Sequence, residues 1–249
     1  MKTVKNLLLS VLFVLVSVSC AENSSSLVIV QNQAPESGCT ASNTVSDKFI
    51  SHGVLDLGSA RYGITPQYFA WFVIQNNLKS TVDNKGVELN NVEMKEAHIS
   101  LSLGAASSGL ESQFTHFADY TFVTIPPGES RSVQVNLIPP NVAERLNVQE
   151  GQFVEGYAKV KLIGERGGTE IETNTVNFPV TVCYGCLVTN IGPCDSATFP
   201  ETVDEGQTCN KSQDEPLQCC KDPNASDSDH PYRCPAVQST GSDTGEGSL

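Results

Sequence analysis

The chain has 249 residues, 28 acidic and 15 basic, for a formal charge of −13 at pH 7. That charge excludes nucleic-acid or anionic-membrane binding through basic patches, because like charges repel. At 39% hydrophobic the chain has enough apolar content to bury one substantial core. Its nine cysteines do not suit a reducing compartment unless they hold metal.

Residues 1–20 have the form of an export signal. Lys2 and Lys5 supply the positive start, residues 7–16 are apolar apart from Ser10, and small residues Ser17, Val18 and Ser19 precede Cys20. An apolar run of about ten residues is too short to span a bilayer as a helix. Cys20 in this setting resembles the acylated cysteine of a bacterial lipobox, although Ser17 stands where that pattern wants Leu, Val or Ile, and ordinary signal cleavage is the alternative. Cysteine parity favours the lipobox. Cys39, Cys183, Cys186, Cys194, Cys209, Cys219, Cys220 and Cys234 make an even set, and acylation removes the ninth thiol. Loss of Lys2 and Lys5 takes the net charge from −13 to −15. Ala21 and Glu22 after the cysteine resemble sorting to the outer membrane, and residues 23–26 form a polar tether.

Residues 45–183 carry strand periodicity. Val133, Val135 and Leu137 alternate with Gln134 and Asn136. Ala158, Val160 and Leu162 alternate with Lys159 and Lys161, and Phe178, Val180 and Val182 with Asn177, Pro179 and Thr181. Residues 68–74 are almost wholly apolar, hold the only tryptophan, Trp71, and imply a central strand buried on both faces. Residues 88–103 hold a further strand or pair of strands. Pro126-Pro127-Gly128, Gly164 to Gly168 and Asp83 to Gly86 supply turns. Pro139 and Pro140 predict a short helix over 142–148. Seven or so strands at this spacing predict an antiparallel sandwich. Residues 125–130 resemble a turn of bacterial immunoglobulin-like domains.

Seven cysteines lie between Cys183 and Cys234, in a stretch too poor in large hydrophobes to order itself without staples. The adjacent Cys219 and Cys220 are expected to pair apart, and Cys39 to send one bridge into this tail. The remaining pairing is open, since eight cysteines allow 105 pairings. Zinc needs four ligands at characteristic spacing, and no second CxxC follows Cys183 and Cys186. A redox CxxC wants a helix N-terminus, whereas here a strand precedes it. Asp222, Asn224, Ser226, Asp227 and Asp229 cluster oxygen ligands for calcium, but lack the mid-loop glycine and closing glutamate of an EF-hand. Residues 238–249, rich in Ser, Gly and Thr, are expected to be disordered.

No GxSxG, HExxH, phosphate-binding or dinucleotide-binding glycine pattern occurs. His52, His98, His116 and His230 are dispersed, and Glu93, Glu96 and Asp119 are the carboxylates that could pair as in a glycosidase, with surface charge the simpler role. Leu27-Val28-Ile29-Val30-Gln31-Asn32-Gln33 leading to Gly38-Cys39, then Gly53-Val54-Leu55-Asp56, then Val182-Cys183-Tyr184-Gly185-Cys186-Leu187 resemble uncharacterised predicted lipoproteins of myxobacteria-like bacteria, a resemblance that brings no activity with it. The expectation is an all-β chain, an antiparallel immunoglobulin-like sandwich followed by a small disulfide-rich C-terminal module. Its parts are a signal peptide (1–19), a lipid-anchored tether with the first strand (20–44), the sandwich (45–183), the cysteine-rich module (184–236) and a tail (237–249). The expected function is that of a non-enzymatic outer-membrane lipoprotein, palmitoylated at Cys20, without cofactor or metal, with a structural, adhesive or envelope-partner-binding role. The alternative is a secreted calcium- or metal-binding protein or enzyme acting through the acidic tail.

Overall fold

The structure, a computed structural model, describes residues 26–36, 38–194, 203–222 and 232–235. The export segment, Cys20, most of the proposed calcium cluster and the 238–249 end lie outside the described residues. Strands β1 (Leu27–Gln33), β3 (Tyr68–Asn76) and β6 (Ser130–Ile138) form one sheet in the order β1-β3-β6. The facing sheet contains β2 (Gly53–Asp56), β4 (Val92–Ser102), β5 (His116–Ile125), β7 (Phe153–Arg166), β8 (Thr169–Glu172) and β9 (Val176–Cys183). Its order is β2-β9-β7-β4-β5, with β8 returning along β7 as a hairpin. The C-terminal module adds a third small sheet of β10 (Val188–Pro193), β11 (Leu217–Lys221) and β12 (Tyr232–Arg233).

The chain is therefore all-β, a sandwich with a disulfide-rich module. Two pairings depart from an antiparallel plan: β2 runs parallel to β9, and β10 parallel to β11. Both follow from long connections, since only a hairpin forces neighbouring strands to run antiparallel. Strand β1 is an integral member of the first sheet through its register with β3, so the sandwich begins ahead of residue 45. The helix expected over 142–148 is a single turn, Pro140–Ala143. Pro140 starts it, and the apolar residues beyond, Leu146 and Val148, bury individually in an irregular segment.

Alternation explains the core. Val133, Val135 and Leu137 of β6 and Ala158, Val160 and Leu162 of β7 are each at most 2% exposed and turn toward each other across the sandwich. In β4 the period breaks at a bulge between Met94 and Glu96. The extra residue lets Met94 and Ala97 both face inward although three positions apart. Phe178 of β9 joins the sheets, its ring 5.8 Å from Tyr68 and 6.3 Å from Phe72. Strand β3 is buried on both faces, as a run of apolar residues demands. Trp71 faces outward, yet it shares a small pocket with Cys39, Thr40, Ala41 and Asn43 of the segment that crosses the sheet.

The eight cysteines stand in four bridges: Cys39–Cys209, Cys183–Cys186, Cys194–Cys220 and Cys219–Cys234. The adjacent Cys219 and Cys220 pair apart, and Cys39 reaches into the C-terminal module. The bridge to Cys209 introduces residues 207–215, a polar plug that closes one mouth of the sandwich. Gln213 exchanges side-chain hydrogen bonds with the backbone N–H and carbonyl of Phe69 on β3, at 2.9 and 3.1 Å. On the other sheet, Asp56 N–H donates to the Ser212 carbonyl at 2.9 Å. Ser212 and Gln213 are fully buried, which buried amides and hydroxyls tolerate only when hydrogen-bonded.

Candidate functional site

Strand β2 ends in Asp56, a carboxylate with no solvent exposure. Its Oδ1 accepts from the N–H groups of Gly58 and Gly185, both at 2.7 Å, and its Oδ2 from those of Leu187 and Val188 at 2.8 and 3.0 Å. Four backbone donors satisfy both oxygens of the buried carboxyl group, each bond replacing a lost water contact. Gly58 permits the approach, because a Cβ at that position would stand 2.6 Å from the Gly185 nitrogen. The loop so held is the one between Cys183 and Cys186.

Asp56, Cys183 and Cys186 bring one ligand atom each within 4.8 Å of one another. This trio is a poor metal centre, since the sulfurs are bonded to each other and both carboxylate oxygens are taken by N–H donors. Tyr184, inside the same loop, lies under Arg61, whose guanidinium is 4.7 Å from the ring centroid. Arg61 also donates to the Tyr184 hydroxyl at 3.0 Å and makes a two-pronged ion pair with Glu150, both contacts at 3.0 Å. That pairing raises the Arg61 pKa further and lowers that of Glu150. All of this is at the surface, where solvent screening leaves it a positioning role. Tyr184 completes the wall of a cleft of about 400 Å³ with Leu57, Ala60, Ile64, Pro66, Leu146 and Val148.

A second cluster sits where the plug meets β2. Asp214 Oδ1 accepts from Val54 N–H at 2.9 Å, while Oδ2 accepts from the Tyr68 hydroxyl at 3.2 Å and from Gln213 Nε2 at 3.0 Å. Burial pushes its carboxyl up to about 6, against the opposing pull of these three donors. Burial and the neighbouring carboxylate also push Tyr68 well above its ordinary value. Asp214 and Cys39 are the non-glycine residues with positive φ among those described, at 63° and 59°. Lys211, 4% exposed, donates from Nζ to the Glu205 carbonyl at 2.7 Å, and burial lowers its pKa.

The carboxylates named from sequence do not converge. Glu93 pairs with Lys95, Glu96 accepts from His98 at 2.7 Å, and Asp119 accepts from the backbone N–H of Asn136 at 2.8 Å. His52 contacts Thr181 and His116 contacts Thr115, while His230 lies outside the described residues. Asp222, first of the calcium cluster, forms an ion pair with Arg233. Among the described residues no helix is long and apolar enough to cross a membrane.

Asp56, Arg61, Tyr184 and Asp214 were not legible as site residues. A local signal existed for Asp56 alone: an Asp closing a strand, two residues before a glycine, is the pattern of a helix cap, and it does cap the 3-10 turn Leu57–Tyr62. Tyr68 and Asp214 are 146 residues apart, and no spacing announces such a pair. A different feature lies on the outermost strand, β5, where Tyr120 and Phe122 are 73% and 80% exposed. Compared with protein-family models and with curated proteins, the chain matches none.

Proposed function

We propose that the chain is a non-enzymatic cell-envelope lipoprotein, held at the outer membrane through an acyl group on Cys20, whose sandwich binds a polypeptide partner along β5. The observation that carries this reading is the pair Tyr120 and Phe122, large apolar rings facing solvent on a strand at the end of its sheet. A soluble sheet puts polar side chains there, since an exposed edge is a template for pairing with another chain. Exposed aromatics grouped on such an edge have the composition of an interface centre. Four bridges from eight cysteines support an oxidising compartment.

Two measurements test the two halves. The intact mass of protein from the membrane fraction should fit a chain starting at Cys20 plus an acyl modification, with eight alkylated thiols appearing only after reduction. An unlipidated chain refutes the anchor. A photo-cross-linking residue at Ala118, beside Tyr120 on the same face of β5, should capture one recurring envelope polypeptide in intact cells. Replacing Tyr120 and Phe122 together by Lys should abolish that product. A product unchanged by the double replacement refutes the binding edge.

A further inference from the structure

The four bridges differ in what holds their ends once the sulfurs part. Cys39–Cys209 joins residues 170 apart, and Cys194–Cys220 joins two buried cysteines of the small module, one on β11 and one just past β10. Cys183–Cys186 spans three positions, so it removes the least freedom from the unfolded chain. Its loop is also fixed without it. Cys183 ends β9 in register with Asp56 and Phe153, and the N–H groups of Gly185, Leu187 and Val188 all rest on Asp56. Tyr184 exchanges backbone hydrogen bonds with Gly151 and Gln152. Opening this bridge leaves both sulfurs facing each other on a loop that stays in place.

Access is one-sided. Cys183 is fully buried, whereas Cys186 is partly exposed beside the exposed Gly185. Phe153, opposite Cys183 in the ladder, is 65% exposed, and Tyr184 between the cysteines forms part of the cleft it shares with Leu57, Ile64 and Glu144. Cys186 is therefore the more accessible of the two cysteines, and the rings of Phe153 and Tyr184 border the loop for what carries the nucleophile.

We propose that Cys183–Cys186 is a thiol–disulfide exchange site that opens and closes without unfolding the chain and takes as substrates the thiols of its own oxidising compartment. A substrate thiol gives up its proton as its sulfur attacks Cys186 Sγ, the Cys183–Cys186 bond breaks, and its electron pair leaves on Cys183 Sγ, which takes up that proton and donates it to the Leu55 carbonyl 3.4 Å away. A second substrate thiolate then attacks the substrate sulfur of the mixed disulfide. A substrate disulfide forms, Cys186 leaves as the second thiolate, and two electrons have passed from substrate to bridge. The reverse sequence, with a disulfide substrate, closes the bridge again.

The test uses the full chain in glutathione buffers graded from oxidised to reduced, quenched in acid, alkylated and mapped by mass. Cys183 and Cys186 should become alkylatable first, with the other six cysteines still bonded and the circular dichroism unchanged. The C183S variant should accumulate a glutathione adduct on Cys186. A cysteine-containing peptide with apolar flanks reacting faster than glutathione assigns polypeptide thiols as the source, and equal rates assign small thiols. Opening of another bridge first, opening only together with loss of native dichroism, or no adduct in C183S overturns the proposal. So does the C183S/C186S double variant if it fails to fold with its other three bridges, because the site must be dispensable for the fold.

Discussion

Replacing Asp214 by Asn should make the protein more stable at neutral pH and leave it nearly unchanged in acid. In the folded chain this carboxyl titrates at about 6 instead of its ordinary 3.8, because burial disfavours its charged form. Between those two values the folded state keeps a proton that the unfolded chain releases, so stability is full below pH 3.8 and declines as pH rises through 6. Two pKa units at 1.36 kcal/mol each set the cost of ionisation at about 3 kcal/mol above pH 6. Asparagine carries no charge and accepts the positive φ of 63° at this position. Its carbonyl keeps the Val54 N–H, and its amide can donate to the Tyr68 oxygen. The Gln213 Nε2 contact is lost, and a lost hydrogen bond costs about 1 kcal/mol. The net gain is about 1 to 2 kcal/mol at pH 7.5 and near zero or slightly negative at pH 3.5.

Urea unfolding of wild type and D214N from pH 3.5 to 8, bridges intact, measures this difference. Other titrating groups act in both proteins and cancel. Glu88 and Glu150, whose pKa values are lowered, contribute stability that is lost as pH falls through those values, opposite in sign to Asp214. Burial lowers the Lys211 pKa in both proteins alike. Parallel profiles for the two proteins, or a D214N that is less stable at pH 7.5, would show that the Asp214 carboxyl is not strained by burial and refute the reasoning.

Changing Asp56 to Asn should cost at least about 3 kcal/mol in urea unfolding, since an amide NH₂ in place of one oxygen meets two N–H donors that then have no acceptor. Gly58→Ala should act on the same cradle by pushing its Cβ against the Gly185 nitrogen, and should appear as faster hydrogen exchange at Gly185 and Leu187. Replacing Cys39 and Cys209 together by Ser should cost about 5 kcal/mol, the chain entropy released by a separation of 170 residues. Protease should then cut within 207–215 before the sandwich strands, and a double variant as protease-resistant as wild type would argue that the plug docks without its staple.

What was legible in the sequence was whatever local periodicity encodes. Val133 to Leu137, Ala158 to Leu162 and Phe178 to Val182 alternate because each strand has one face in the core, and all three are strands. Residues 68–74 read as a strand buried on both faces because the run is almost wholly apolar. The parallel pairing of Gly53–Asp56 with Val176–Cys183 leaves no local mark, because register between strands whose partners lie 127 residues apart is set by the whole sandwich. The polar plug was hidden more deeply. Gln207, Asn210, Lys211, Ser212 and Gln213 are each at most 4% exposed, yet any composition rule places such residues in water. Their burial depends on finding the open backbone of β2 and β3, a partner that exists only after the sandwich forms.

That dependence makes the C-terminal module part of the sandwich and not an appendage to it. Residues 210–215 occupy backbone donors and acceptors of Val54, Asp56, Gln67 and Phe69 that the two sheets leave open at this end. Cys39–Cys209 holds the plug there, and the segment from Cys39 to Asn43 in turn lies against the outer face of Trp71. The two halves thus cover surfaces that neither could leave exposed: unpaired strand ends on one side, a fully apolar strand on the other. The sandwich core and the polar plug are stable together because each closes the other. The interaction is cooperative for that reason, and among the described residues Tyr120 and Phe122 stay open to solvent on the outer face of β5.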